Sequence, residues 1–375
     1  MPYLSETSQP FALPTKAYHN ADWAARECEA VLRPVWHPVG TAGQLAAVGS
    51  FVAADLLGTP VVVRRFAADD ESVVALRNVC AHRHCTIVDE PSGRAESLRC
   101  PYHGWEYGAD GRTRRIPKAK NFPHLDRERH RLDRFAVARC GDVWFVRLDE
   151  RGPSLDEWLG DWFAQIAERT QPPVWRPTMA ETLPAEANWK IPIEGSLESY
   201  HLPDVHAATF GAEGDPGEEG TEHAIGDRST SFRTTHRQPS LVTRAEDWAQ
   251  RRLGVTDPDG RYAHHHLFPH LMLAETESIT LLTAVMPTGP TTSELRCWQW
   301  GRQPSRPGVV GRATARTLGR AAAKASLAVL AEDVAIFPRV QRGIEGAGHP
   351  GLHGRCEERL AAFQRYVAER CGLEG

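Results

Sequence analysis

The sequence predicts an α+β protein with an all-β part followed by a part that combines an antiparallel sheet with helices. Short β-rich runs separated by turns occupy residues 37 to 148. Alternating strand patterns return between residues 264 and 300, and helical periodicity dominates from about residue 311 onward. Strands and helices that are segregated along a chain, rather than strictly alternating, are typical of the α+β class.

The first part begins with a predicted helix. Apolar residues recur near the helical period in "NADWAARECEAVLRPVW", and Asn20 is suited to cap it. The β-branched runs "SFVAADLL", "PVVVRRFA" and "SVVALRNV" predict three strands, because Gly-Thr-Pro and Asp-Asp-Glu turns separate them. "FAVARCGDVWFVRLD" predicts a hairpin with Gly141 and Asp142 as its two-residue turn.

The second part follows a polar segment, residues 149 to 154, that reads as a linker. A helix is predicted for "LDEWLGDWFAQIAERT" and an amphipathic helix for "RCEERLAAFQRYVAER". The Gly-rich, acidic residues 211 to 228 predict a loop near the mouth of an active site.

Composition excludes several classes of protein. The formal net charge of −4 provides no basic field that would draw the chain to nucleic acid or anionic lipid. There is no apolar run long enough to span a membrane and no secretion signal at the N-terminus. Eight cysteines in 375 residues are too few for a disulfide scaffold. We therefore expect a cytoplasmic protein that binds neither nucleic acid nor membrane.

Two short arms carry the ligands of a predicted metal site, Cys80-x-His82 and Cys100-x-x-His103. Zinc is one candidate, since two cysteines and two histidines can bind it. Zinc fingers usually place their cysteines in one arm and their histidines in the other, whereas each arm here supplies one of each. A two-iron cluster uses that arrangement, with both thiolates on one iron and both imidazoles on the other.

Together with "PYHGWEY", the two arms resemble the Rieske [2Fe–2S] motif. The resemblance implies that Cys80, His82, Cys100 and His103 hold the cluster. His84 and Cys85 lie beside the first arm but outside its ligand pattern. We expect them to serve local packing or hydrogen bonding.

A second metal site is indicated by His201 and His206 in "NWKIPIEGSLESYHLPDVH". On a regular helix, side chains five residues apart diverge. Pro203 lies between the two histidines and must disturb a helix, and a kink or π-bulge would swing both rings toward one point. Two imidazoles and one carboxylate with open positions form the facial triad of non-haem Fe(II) oxygenases.

Three acids are candidates for the carboxylate. Asp204 is nearest in sequence, whereas Glu332 and Asp333 lie in "LAVLAEDVAIFPRVQRG", a helical run rich in apolar residues. An acid such as Asp333 in that setting needs a partner or a metal. The histidines between His264 and His270 are expected to face a pocket and the core alternately, without a metal role.

The combination of the Rieske arms with "NWK…E…YHxxxxH" and "EDxxxFxxxQRG" resembles the large subunit of Rieske non-haem iron oxygenases, the ring-hydroxylating oxygenase family. The resemblance covers nearly the whole chain. It implies a catalytic domain of the helix-grip (START-like) type, with His201, His206 and Asp333 as iron ligands. It also implies that Glu198 bridges a cluster histidine to an iron-bound histidine. Gly195 stands where many members have Asn.

The resemblance further implies three regions and a function. Residues 1–36 are expected to form an arm and helix on the catalytic domain, residues 37–150 the Rieske domain and residues 151–375 the catalytic domain. The expected activity is that of a terminal oxygenase which activates O₂ at Fe(II) and oxygenates or demethylates a small aromatic or quaternary ammonium compound. Electrons would come from NAD(P)H through a flavin- or ferredoxin-type reductase, and the expected assembly is a homotrimer. The alternative is a Rieske electron-transfer protein without oxygenase activity.

Overall fold

The computed structural model describes residues 9–210, 221–235, 241–256, 258–305 and 308–373. The chain divides into two compact units. One unit comprises Met1–Leu32 together with Arg169–Gly375, and the other comprises Arg33–Glu168. Within the described ranges, no helix combines the length and the apolar character needed to cross a membrane.

The N-terminal segment contains strand β1 (Gln9–Pro10) and helix α1 (Ala21–Glu27). The predicted cap is confirmed, because the side chain of Asn20 accepts a hydrogen bond from the amide of Trp23 at 2.9 Å. The helix continues as one π-helical turn, Cys28–Leu32.

The Arg33–Glu168 unit is built on a seven-stranded antiparallel sheet in the order β2-β11-β10-β5-β4-β3-β6 and a small sheet in the order β7-β8-β9. Its elements, with two helices that lead into the next unit, are β2 (His37–Thr41), β3 (Ser50–Leu56), β4 (Thr59–Arg65), β5 (Val73–Arg77), β6 (Ser92–Arg94), β7 (Leu98–Arg99), β8 (Glu106–Tyr107), β9 (Thr113–Arg115), β10 (Arg134–Cys140), β11 (Val143–Arg147), α2 (Leu155–Leu159) and α3 (Asp161–Thr170).

The predicted strands and hairpin of this unit are confirmed. Cys140 pairs with Val143 across the two-residue turn. The single helix predicted after the linker is wrong, because α2 and α3 are separated at Gly160, whose φ of +54° is left-handed and breaks helical geometry. Cys80 and Cys100 belong to a buried hydrophobic cluster of this unit.

The second unit is dominated by one antiparallel seven-stranded sheet in the order β12-β18-β17-β16-β15-β14-β13. Its elements are β12 (Trp175–Ala185), α4 (Lys190–Ser196), α5 (Leu202–Val205), α6 (Ala207–Phe210), β13 (Thr221–Ile225), β14 (Ser229–Thr234), α7 (Leu241–Arg252), β15 (Tyr262–Leu267), β16 (Leu271–Glu275), β17 (Ile279–Gly289), β18 (Thr292–Arg302), α8 (Val309–Gly346), β19 (Leu352–His353) and α9 (Glu358–Arg370).

The loop predicted over residues 211 to 228 is only partly a loop. Residues 211–220 lie outside the described residues. Thr221–Ile225 form strand β13 instead, because they complete a regular ladder with β14 in which Thr221 pairs with Thr234. The predicted β17 and β18 strands and the helices after residue 311 are confirmed.

A buried ion pair joins α1 to α4. The Nζ atom of Lys190 lies 2.7 and 2.8 Å from the two carboxylate oxygens of Glu27, and both side chains are fully buried. The indole N–H groups of Trp23 and Trp189 also donate to Glu27, and Lys190 donates to the carbonyl of Ala17. Each charge therefore has a full set of partners, which a buried pair requires in order to be tolerated.

The same helix is held at a second point through Glu194. Its Oε1 atom accepts from the hydroxyl of Tyr18 at 2.5 Å and from the amide of Gln364 at 3.0 Å. Burial raises the pKa of Glu194 to about 7, although both hydrogen bonds oppose the rise. Helix α4 is thus fastened to the N-terminal segment and to α9.

We expect Glu27→Leu to lower the free energy of unfolding by about 3–5 kcal/mol, because it leaves the charge of Lys190 buried without its partner. Glu27→Leu combined with Lys190→Met should recover most of that loss. Denaturant unfolding followed by tryptophan fluorescence measures both. An unchanged transition in the single variant would contradict this role for the pair.

Candidate metal centres

The first Cys/His arm is a tight loop closed by two backbone hydrogen bonds. The amide of Cys80 donates to the carbonyl of Cys85 at 2.9 Å, and the amide of His84 donates to the carbonyl of Cys80 at 3.0 Å. His84 has a φ of +57°, a left-handed conformation in which histidine is enriched among non-glycine residues. His84 and Cys85 therefore serve the local hydrogen bonding that the sequence analysis expected of them.

The second arm repeats this geometry. The amide of Cys100 donates to the carbonyl of Trp105 at 2.8 Å, and the amide of Gly104 donates to the carbonyl of Cys100 at 3.0 Å. Gly104 occupies the position equivalent to His84 and has a φ of +71°. A Cβ atom here would lie 3.0 Å from the guanidinium of Arg99, so glycine suits both the conformation and the space.

The two cysteine side chains are buried and close together. Burial raises the pKa of the Cys80 thiol, and the neighbouring Cys100 adds to the rise, while the hydroxyl of Tyr107 opposes it. That hydroxyl accepts from the amide of Ala81 at 3.0 Å and lies 3.0 Å from Cys80 Sγ. Since the amide can only donate, the phenolic proton is available to the sulfur.

The two histidines of the arms have neighbouring rings, with centroids 4.7 Å apart. The ring of His82 also lies parallel to that of Trp105 at 4.9 Å. Burial lowers the pKa of His82, and His103 and Arg83 lower it further. Its Nδ1 atom is buried and has no hydrogen-bond partner in the described part of the chain.

This donor set fits a [2Fe–2S] cluster. A buried imidazole nitrogen without a partner, on a ring kept neutral, is suited to bind a metal. The sulfur atoms of Cys80 and Cys100 stand at the core, while His103 is exposed. One iron would therefore take the thiolates and the other would take the imidazoles near the surface.

The second site begins where the helix after residue 190 breaks down. Helix α4 ends at Ser196, His201 directly precedes the short helix α5, and His206 directly follows it. The expected distortion is confirmed, and it brings the Nε2 atoms of His201 and His206 to 3.3 Å from each other. Pro203 lies in the first turn of α5, where the missing amide proton costs no helical hydrogen bond.

Asp333 reaches these nitrogens from helix α8. Its Oδ1 atom lies 3.0 Å from Nε2 of His206 and 3.7 Å from Nε2 of His201. The three ligand atoms lie within 4.8 Å of one another. Burial raises the pKa of Asp333, although the two histidines oppose the rise. Two imidazoles and one carboxylate that converge in this way fit a mononuclear Fe(II) ion.

Each imidazole is held on its far side by a second acid. Nδ1 of His201 lies 2.5 Å from Oε1 of Glu198, and Nδ1 of His206 lies 2.7 Å from Oε2 of Glu332. An ionised carboxylate can only accept a hydrogen bond, so Nδ1 carries the hydrogen and donates it on both rings, and each Nε2 keeps its lone pair for a metal. Thr209 also donates to Glu332, at 2.9 Å.

The geometry separates the three acids that the sequence left as candidates. Asp204 is exposed and is not part of the group. Glu332 contacts the Nδ1 side of His206, away from the convergence point. Asp333 alone of the three faces the Nε2 atoms.

The site opens onto a cavity of about 530 Å³. Most of its lining is apolar, including Phe232, Met272, Leu281, Val329 and Leu330. Polar groups on the lining include Arg359, His264 and Tyr262. Gly195 also lines it and contributes no side chain there. A mostly apolar cavity with a few placed polar groups is typical of a small-molecule site.

The histidine run on β15 was expected to face a pocket and the core alternately. His264 lines the cavity, whereas His265 and His266 are not among its lining residues. His265 hydrogen bonds to Ser231 Oγ at 2.8 Å, and His266 Nε2 hydrogen bonds to the carbonyl of Pro269 at 2.9 Å. Burial lowers the pKa of His265 to about 4 and that of His266 to about 3. None of these rings belongs to the convergent group around Asp333.

The sequence did not predict the contacts of three residues at the two sites and the cavity. Glu332 was weighed only as a ligand, although a residue next to a ligand on a helix points about 100° away from it and can reach the ring from another side. Tyr107 stands in the motif "PYHGWEY", but the motif alone did not indicate its contact with Cys80 Sγ. Arg359 lies in a helix whose charged residues gave no reason to single one out.

Sequence profiles of two families match the chain. The profile described as "Ring hydroxylating alpha subunit (catalytic domain)" matches residues 174–373, and the profile described as "Rieske [2Fe-2S] domain" matches residues 35–131. The two matches cover both metal centres.

Curated relatives include the glycine betaine monooxygenase oxygenase subunit of Chromohalobacter salexigens, 28% identical over 54% of this chain and 45% of the relative. The chloroplastic choline monooxygenase of Spinacia oleracea is 31% identical over 52% of this chain and 44% of the relative. The matches thus span less than half the length of these relatives.

Solved structures share the fold over nearly the whole chain. A quaternary ammonium Rieske monooxygenase in complex with L-carnitine aligns with a TM-score of 0.73 at 18% identity, covering 97% of this chain and 96% of that one. Naphthalene 1,2-dioxygenase with bound indole aligns with a TM-score of 0.75 at 19% identity, covering 98% and 93%. The expected fold is confirmed, and the chain belongs to the ring-hydroxylating alpha subunit family, whose members join a Rieske domain to a mononuclear iron domain.

Proposed function

We propose that this chain is the terminal oxygenase of a multicomponent Rieske system that oxygenates or oxidatively demethylates a small organic molecule. The observation that carries the proposal is the convergence of His201, His206 and Asp333 on the wall of a largely apolar cavity. The same chain carries two Cys/His loops with matching backbone geometry. One polypeptide therefore carries residues suited to hold both metal centres that O₂ activation requires.

In this proposal Cys80, His82, Cys100 and His103 hold the [2Fe–2S] cluster, and the convergent triad holds the iron. When bound, the cluster carries electrons one at a time, and the iron offers open positions to O₂ beside the substrate. Glu332 and Glu198 keep each triad imidazole in the tautomer that leaves Nε2 free. The apolar lining keeps bulk water away from the reacting groups.

Glu198 is also the proposed link between the two centres. Its side chain is nearly buried, and its two oxygens contact Nδ1 and the backbone amide of His201. A carboxylate oxygen has capacity for a second acceptor bond, so a cluster histidine can share it. In a closed head-to-tail homotrimer that histidine would belong to a neighbouring subunit, which gives every cluster an iron to serve.

Electrons are proposed to come from NAD(P)H through a flavin- or ferredoxin-type reductase, in the cytoplasm. The substrate is proposed to be a quaternary ammonium or aromatic compound. The names of the relatives support the first class, since they act on glycine betaine and choline. The alternative, an electron-transfer protein without oxygenase activity, is disfavoured because the triad is complete.

The proposal is tested by metal content and O₂ uptake. We expect about three irons per chain in the wild type, two in the cluster and one in the triad, and about two in Asp333→Ala. Asp333→Ala should keep the visible spectrum of the cluster but lose substrate-dependent O₂ uptake, which is measured with a surrogate reductase and NADH over aromatic acids, amines and quaternary ammonium compounds.

Asp204→Ala is the matched control, because this exposed acid lies in the same segment as the histidines. It should keep three irons and full O₂ uptake. Two irons in the wild type would favour the electron-transfer alternative. Three irons with continued uptake in Asp333→Ala would remove Asp333 from the triad.

We expect Cys100→Ala to abolish the Rieske visible absorption, because one iron would keep only three of its four ligands. Cys85→Ala is the control, since its sulfur contacts only the carbonyl of Thr86 among the hydrogen bonds found for it. Absorption spectra of both variants decide the matter. A normal spectrum in Cys100→Ala would be inconsistent with the ligand assignment.

Glu198→Gln and Glu332→Gln distinguish two proposed roles of Glu198, which are to orient the imidazole of His201 and to link the two metal centres. Each variant weakens one acceptor bond to a triad imidazole, so both should lower iron affinity by about 10- to 100-fold. Only Glu198→Gln should also slow reoxidation of the reduced cluster, which is followed by rapid mixing with substrate and O₂ in iron-saturated enzyme. Equal reoxidation rates in the two variants would leave Glu198 with an orienting role alone.

A further inference from the structure

A buried guanidinium lines the same cavity as the triad. Arg359, from helix α9, is 2% exposed and lies among the lining residues. Its Nε atom donates to Thr230 Oγ1 at 3.1 Å, and its Nη2 atom lies 3.0 Å from Nδ1 of His264 and 3.2 Å from its carbonyl oxygen. These bonds fix the plane and direction of the guanidinium.

The charge of Arg359 has no carboxylate partner among the described residues. None of the ion pairs found there includes it, and its Nη1 atom makes none of the hydrogen bonds found there. Burial lowers the pKa of Arg359 to about 9, and Tyr262 is the only group found that raises it. The side chain therefore remains cationic near neutral pH.

The neighbouring titratable groups do not supply a negative charge. Burial lowers the pKa values of His223 and His265 to about 4 and that of His264 well below its usual range, and Arg359 lowers all three further. Burial raises the pKa of Tyr262 to about 12. These four side chains therefore carry no negative charge near neutral pH.

A buried cation without a counter-charge is costly. Nε and Nη2 of Arg359 are already bonded to Thr230 and His264, so the two N–H groups of Nη1 remain to donate charge-assisted hydrogen bonds to a carboxylate. We propose that Arg359 binds the carboxylate of the substrate, which is therefore a small monocarboxylic acid whose remaining atoms occupy the apolar part of the cavity. The cavity volume suits a molecule of that size. This inference rests on the proposed function, because it assigns an end of the substrate to a wall of the same cavity.

The test compares acids with alcohols that differ only in a hydroxymethyl group in place of the carboxylate. The probes are glycine betaine against choline and benzoate against benzyl alcohol, titrated by calorimetry into the full-length, iron-loaded protein without reductant. We expect at least one acid to bind about tenfold or more tightly than its alcohol, as a charge-assisted hydrogen bond would give. If neither acid binds, or if neither binds more tightly than its alcohol, the proposal is overturned.

Substitutions test whether Arg359 is the residue that causes the preference for the acid over its alcohol. Arg359→Gln should weaken binding of the acid by about tenfold or more and leave binding of its alcohol nearly unchanged, while Arg359→Lys should retain part of the preference. Arg233→Gln removes an exposed arginine from a neighbouring strand and should change neither. An acid preference that survives in a folded Arg359→Gln would also overturn the assignment.

Binding and turnover fail independently in this design. A chain that consumes O₂ with a neutral substrate but shows no acid preference is an oxygenase in which Arg359 does not bind a carboxylate. A chain that binds acids through Arg359 but contains no triad iron retains the binding site and loses the proposed function. The calorimetric result therefore tests the role of Arg359 independently of the O₂ measurement, which tests the proposed function.

Discussion

The buried pairing of Lys190 with Glu27 holds the helix on which the catalytic unit depends. Two wholly buried charges with complete hydrogen-bonding partners tolerate little displacement, because any movement exposes one of them to an unfavourable medium. The amide of Asn188, just before α4, donates to the side chain of Gln341 on α8. This bond fixes the position of α4, which leads to the two histidines, relative to α8, which carries Asp333.

The cavity lining carries charged groups of both signs. Glu198 and Asp333 line it beside two imidazoles, with Glu332 behind His206, and this group is suited to hold a cation. Arg359 adds a positive charge to the same lining, and its neutral neighbours do not cancel it. If Arg359 binds the charged end of a ligand, as proposed, that contact would help to decide which of the ligand's carbon atoms lies near the triad.

Candidate metal ligands could be proposed from the sequence because their spacing is restrictive. Cys80 and His82 stand in one short arm, and Pro203 between two histidines implies a broken helix. The identity of the third ligand could not be derived from spacing, since Asp333 lies 127 residues after His206 and only the packing of α8 brings them together. Arg359 is a harder case, because its burial depends on contacts with strands β14 and β15 that no local pattern encodes.

The adjacency of Glu332 and Asp333 has a mechanical consequence. Consecutive residues of one helix lie at the two nitrogens of His206, so the orientation of that ring follows α8. His201 takes its orientation from Glu198 in its own segment. A rotation of α8 about its axis would therefore act directly on the imidazole of His206, whereas His201 meets α8 only through the longer contact of 3.7 Å with Asp333. The angle between the two rings is in this way tied to a helix of 38 residues, most of which lies outside the site.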